Sequence, residues 1–211
     1  MKKKLLSIAV IIICLAVLGY GTLAYFTDEA VAHNIITSGG VNVEIEEWKQ
    51  APTDDEPGIP FKDVSGVMPG ASVSKIVTVK NNKNSSESWI RAWVNVGISE
   101  PGNPILNPKI KNLPLTITVG EEEIEVVQLD FNLGAGSDQW TFNEEDCYYY
   151  YNSPVDPEEI TTPLFETVKF APEMGNEYQN CKVLIDIYAE AVQTANNGGT
   201  ALEADGWPES N

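Results

Sequence analysis

From about residue 35 onward, apolar and polar positions alternate with a period of two, and hardly any long segment carries the 3.6-residue spacing of a helix. Val41, Val43 and Ile45 alternate with Asn42, Glu44 and Glu46, giving a strand with one wet face. The stretch SVSKIVTVKN from Ser72 follows a Met68-Pro69-Gly70 turn signal, and NNKNSS from Asn81 supplies the next loop. In SWIRAWVNVGI from Ser88, the side chains of Ile90, Ala92, Val94, Val96 and Ile98 share one face, which leaves Trp89, Arg91 and Trp93 on the other. LTITV from Leu115 and IEVVQLDF from Ile124 flank Gly120-Glu121-Glu122-Glu123 and predict a hairpin. QWTF from Gln139 and CYYYY from Cys147, around Asn143-Glu144-Glu145-Asp146, predict another. LFETVKF from Leu164 and CKVLIDIYAEAVQ from Cys181 are the last two strands; Val183, Ile185, Ile187, Ala189 and Ala191 share a face of the latter.

About eight or nine short strands with turn signals between them predict an all-β protein, an antiparallel two-sheet sandwich of jelly-roll type, over residues 41–211 as one domain. APTDDEPGIP from Ala51 and EPGNPILNPKIKNLP from Glu100 are too rich in proline and charge for strands and are expected as loop excursions. ALEADGW near the C-terminus suggests a short helix.

The beginning of the chain changes where this sandwich is expected. Residues 1–24 hold Lys2, Lys3 and Lys4, an uncharged apolar run from Leu5 to Leu18, and then Thr22 and Ala24 at small-residue positions. This is the pattern of a secretory signal peptide cut between Ala24 and Tyr25, with Ala30 and Ala32 as a second cleavage pair. A retained anchor is the rival reading, because the uncharged stretch reaching Phe26 is just long enough to span a bilayer. The 211 residues carry a net charge of −18; beyond the leader, 10 basic residues face 31 acidic ones, a net −21. Such a field repels a phosphate backbone, so nucleic-acid binding is excluded as a function class.

Candidate chemistry is sparse. Cys147 and Cys181 remain after cleavage, in a setting where disulfides persist; either they pair or they are two separate thiols. His33 is the only histidine, and HExxH is absent, so the two-histidine zinc site of a metallopeptidase cannot be built. A serine or cysteine nucleophile usually needs a histidine base, and no such constellation is found. The reading is non-enzymatic, with no cofactor. Asp54-Asp55-Glu56, Glu121-Glu122-Glu123, Glu144-Glu145-Asp146 and Glu158-Glu159 are expected in turns, as solvated charge; calcium binding there is the weaker alternative. Trp89, Arg91 and Trp93 are either an exposed aromatic contact for another subunit or a matrix polymer, or are covered by a loop or by the segment with Trp207. Tyr148 to Tyr151 raise the same question, since alternate rings point to opposite faces.

The stretch GTLAYFTDEAVAHNIITSGGVNVEIEEW resembles the TasA/camelysin family of secreted biofilm-matrix proteins, whose signal peptides are cut by a dedicated signal peptidase. The matching pieces are Ala24, Tyr25-Phe26-Thr27-Asp28, Ser38-Gly39 and the strand from Val41, followed by Met68-Pro69-Gly70 leading into VSKIVTVKNN, then WIRAWVNV and IYAEAVQT. The resemblance implies a jelly-roll subunit of extracellular fibres, assembled with itself or with a related fibre protein when the mature N-terminal segment of one subunit adds as a strand to the next. Residues 25–40 are then the candidate donor segment, with Tyr25, Phe26, Ala30, Ala32 and Ile35 as pocket fillers. The competing expectation is that this segment folds back as an edge strand of its own sandwich. Some family members are described as metallopeptidases, which the single histidine argues against. A monomeric cell-surface adhesive or polysaccharide-binding module is the runner-up.

Overall fold

The structure is a computed structural model that describes residues 36–37, 40–100 and 112–208. Twelve strands follow in chain order: β1 (Ile36–Thr37), β2 (Val43–Gln50), β3 (Ile59–Pro60), β4 (Ser72–Asn81), β5 (Ser88–Ser99), β6 (Thr116–Val119), β7 (Glu122–Glu125), β8 (Val127–Phe131), β9 (Trp140–Asn143), β10 (Tyr148–Tyr151), β11 (Phe165–Phe170) and β12 (Lys182–Gln193). One five-stranded sheet is ordered β1-β12-β5-β10-β9 and the other β3-β2-β4-β11-β8, while β6 and β7 form a separate two-stranded ribbon. The β8 end meets β9 through a Leu133–Trp140 bridge, and β2 packs beside β12. The cyclic order β2-β12-β5-β10-β9-β8-β11-β4 is that of a jelly roll, as the alternation predicts.

The core lies between the two large sheets. It is built from the inward positions that the alternation marks, among them Val43, Val77, Val79, Ile90, Ala92, Ile98, Ile187 and Ala189, with Trp140 and Phe165 as its largest fully buried rings. Pro69 and Gly70 form the turn into β4: Gly70 has φ +76 and the Ala71 N–H donates to the Met68 carbonyl at 3.0 Å, the geometry in which a side chain at Gly70 would be strained. At the other end of β4, Asn81 is fully buried and its amide donates to the carbonyls of Ser86 and Val155, both at 2.8 Å, tying the β4–β5 loop to the strand beside it.

Four local readings differ from the sequence expectation, the first being that Ile59–Pro60, in the proline-rich stretch expected as a loop, pairs with the edge of β2 as the short strand β3. The stretch from Ile124 is not one strand: β7 pairs with β6, and the chain then crosses into the second large sheet as β8. Val126 and Val127 are consecutive and both buried, which a straight strand cannot achieve because neighbours point to opposite faces. The chain bends there, with the Val126 N–H donating to Leu115 and its carbonyl accepting from Ala171. Consequently Glu122 and Glu123 lie in a strand rather than in the turn. The expected C-terminal helix is a single 3-10 turn, Ala201–Glu203.

Candidate functional site

The long strand β12 is the outermost full-length strand of its sheet. All twelve of its residues pair with β5, from Lys182 opposite Ser99 to Gln193 opposite Ser88. On its other edge, among the described residues, only Glu190 and Ala191 are paired, in parallel with Ile36 and Thr37. An edge of this kind presents unpaired N–H and C=O groups that an extended segment can satisfy. Behind it the inward side chains are not all equally buried. Near Gln193, Ile187, Ala189 and Ala191 are buried; toward Lys182, Ile98 is buried too, but the inward side chains of Val183, Ile185, Val94, Val96 and Ile45 are only half-buried. These half-buried apolar side chains lie between β12 and β2, along the part of the edge where no described strand pairs with β12.

Of the residues expected to donate a strand, Tyr25, Phe26, Ala30, Ala32 and Ile35 lie outside the described residues, as do the signal peptide, both cleavage sites and His33. Ile36 and Thr37, within the donor segment of residues 25–40, pair with β12 of their own chain, as the competing expectation of a fold-back edge strand has it for these two residues, so the sandwich begins before residue 41.

The opposite face of this sheet corrects the expectation of an exposed aromatic contact. Trp89 and Arg91 are buried, 7% and 6% exposed, and Trp93 is half-buried. The C-terminal segment covers them: Ala201, Ala204 and Trp207 pack with Trp89, Tyr148, Tyr150 and Val192. The Trp89 indole N–H donates to the Asn197 carbonyl at 2.9 Å, and the Asn197 side chain clasps Asp205 through two hydrogen bonds of 3.0 and 2.7 Å. The Arg91 guanidinium lies between the rings of Tyr148 and Trp207, at 3.9 and 4.7 Å, and donates to Glu190 at 2.7 Å, to the Tyr150 hydroxyl and to the Pro208 carbonyl at 3.2 Å. Burial lowers its pKa, but the bonds to Tyr150 and Glu190 and the Glu190 charge outweigh that and raise it. Burial and the bond to Asp146 push the Tyr150 hydroxyl up, against the opposing pull of Arg91.

None of the four consecutive tyrosines is exposed. Tyr148 and Tyr150 belong to the Arg91 cluster, and Tyr151 packs on Trp140 in the core at 5.1 Å. Tyr149 is half-buried and stacks on Phe131 at 4.5 Å; burial, with the charges of Cys147 and Glu125, pushes its pKa up to about 12. The cover is the one the sequence offered as an alternative, the C-terminal segment with Trp207.

Cys147 and Cys181 are free thiols and are not brought together. Cys147 ends the turn into β10, where Tyr149 stands opposite Ala92, and Cys181 precedes Lys182, which stands opposite Ser99. At roughly 3.3 Å per residue the two lie about 20 Å apart along the sheet and on opposite sides of β5, far beyond disulfide reach. Among the described residues, no three His, Cys, Asp or Glu side chains converge into a group that could hold a metal ion.

No family model, no curated protein and no solved structure matches this chain.

Proposed function

We propose that this chain is a secreted, non-enzymatic subunit of an extracellular biofilm matrix, of the TasA/camelysin type, that joins other subunits by strand addition. The observation that carries the reading is the β12 edge: a twelve-residue strand whose only strand pairing on its outer side, among the described residues, is at Glu190 and Ala191, with half-buried apolar side chains such as Val183 and Ile185 along the rest. An incoming extended segment would gain main-chain hydrogen bonds from the edge and bury alternate side chains against these. Because donor and acceptor are different surfaces, the contact does not close on itself and propagates as a filament.

The register of β1 adds a direction. Ile36 stands opposite the outward-facing Glu190 and Thr37 opposite the inward-facing Ala191. A segment continuing that parallel register would set Ile35 and Val31 on the inward face, and Ala30 and Ala32 on the outward face. Of the pocket fillers chosen from the sequence, Ile35 is thus favoured over the two alanines.

The test is a strand-supply experiment. A chain beginning at Ile36 is mixed with a peptide of residues 25–35, and binding is followed by calorimetry. Saturable binding that is lost with Ile35→Asp in the peptide and with Ile185→Asp in the acceptor supports the reading; no binding, or binding indifferent to both changes, refutes it.

The second reading, a monomeric adhesive module, draws on the half-buried Trp93 and Tyr188, whose rings are 5.3 Å apart on the outward face of the same sheet.

A further inference from the structure

The outward face of the second sheet carries a groove that strand addition does not use. Glu46 and Trp48 of β2 and Lys80 of β4 line it, with Pro52 on one wall and Glu158, Glu159 and Ile160 on the other. Both walls are set by backbone bonds. The Glu158 N–H donates to the Asn81 carbonyl at 2.7 Å, the Asn81 N–H donates to the Glu159 carbonyl at 2.9 Å, and Ile160 bridges to Lys80. On the other side the Glu56 N–H donates to the Thr53 hydroxyl at 3.1 Å and closes the loop after Pro52. Gly58 lies so close to Trp48 that a Cβ would stand 2.8 Å from the indole and from Pro52, so the loop packs against the ring and holds it in place.

Three carboxylates line this groove against one ammonium, Lys80, which sits 3.9 Å from Glu46. The half-buried Trp48 ring and the exposed Ile160 supply apolar surface beside them. Thr78 stands opposite Glu46 on the same face of the sheet, 4% exposed, with a hydroxyl that has no hydrogen-bond partner among the described residues. A neutral apolar ligand would strip water from the carboxylates without replacing it, and a bare metal ion would make no use of the indole. A ligand with both a flat apolar face and a positive charge satisfies both parts, since an ammonium is also attracted to the face of a tryptophan. The net charge of −18 favours capture of a cationic polymer at long range.

We propose that this groove binds a protonated amino sugar, the glucosamine-type unit of a cationic polysaccharide, with the sugar face on Trp48 and the ammonium among Glu46, Glu158 and Glu159. Matrix polymer and protein edge would then be engaged by opposite sheets, and loss of one activity leaves the other intact.

Calorimetry on the chain beginning at Tyr25 would use a short glucosamine oligomer, with its amines protonated, against the fully N-acetylated oligomer of the same length. The expected result is saturable binding of the amine form alone. Trp48→Ala and the triple change Glu46→Gln, Glu158→Gln, Glu159→Gln would each weaken it about tenfold or more, close to 1.4 kcal/mol. Glu121→Gln, Glu122→Gln, Glu123→Gln, which removes the same charge from exposed side chains around the β6–β7 turn, should leave affinity within about twofold. Should Trp48→Ala misfold, the glutamine triple still decides, since two of its three sites are exposed loop positions. Equal weakening by the two triple changes would reduce the binding to general polyanion attraction and overturn the proposal, as would equal affinity for the N-acetylated oligomer or no binding at all.

Discussion

For Arg91 the local pattern left two readings open, an exposed aromatic contact or a cluster covered by the segment with Trp207, and the structure has the second. A guanidinium between two tryptophans on the wet face of a strand would normally be solvated, yet here it is buried between Tyr148 and Trp207 and bonded to Glu190. Breaking such a pair strands a buried charge, so Arg91→Ala should cost about 3–5 kcal/mol, read as a loss of melting temperature. Removing residues after Gly206 should cost less in stability but should free the Trp89 and Tyr148 rings, read as a change in near-ultraviolet circular dichroism. Tyr149 gives the pH signature. Its folded pKa of about 12 lies above the ordinary tyrosine value of 10, so its contribution is complete below pH 10 and lost as pH rises from about 10 through 12, where the unfolded chain has already released the proton. Melting temperature should fall across that window, and Tyr149→Phe should lessen the fall.

At the scale of elements, the strands were legible because a sandwich imposes a period of two over long stretches: β4, β5 and β12 fall where the alternation of Val, Ile and Ala sets them. The break at Val126 was less legible, because two adjacent valines fit a continuing strand as well as a bend when only the local pattern is seen. The cover over Trp89 was legible only as one of two alternatives, the segment with Trp207, since Asn197 and Trp207 lie more than a hundred residues away and no periodicity links them to the strand they close. The cysteines belong here as well. With Cys147 and Cys181 held apart by the register of β5, both thiols should react with a labelling reagent, and a reductant should leave the melting temperature unchanged. The half-buried position of Ile185 makes β12 testable without unfolding the core: Ile185→Asp should lower melting temperature only modestly while abolishing capture of an extended segment.

For the whole molecule, the central question is whether the open edge of β12 and the segment ahead of Ile36 are two halves of one contact between neighbouring subunits. The net charge keeps such subunits apart in dilute solution, so assembly should quicken as salt screens that repulsion. The most direct measurement compares the chain beginning at Tyr25 with one beginning at Ile36, which keeps β1 and the whole sandwich, by light scattering and electron microscopy over days. Strand addition predicts filaments from the first and monomers from the second. Monomers from both, or filaments from both, would contradict it.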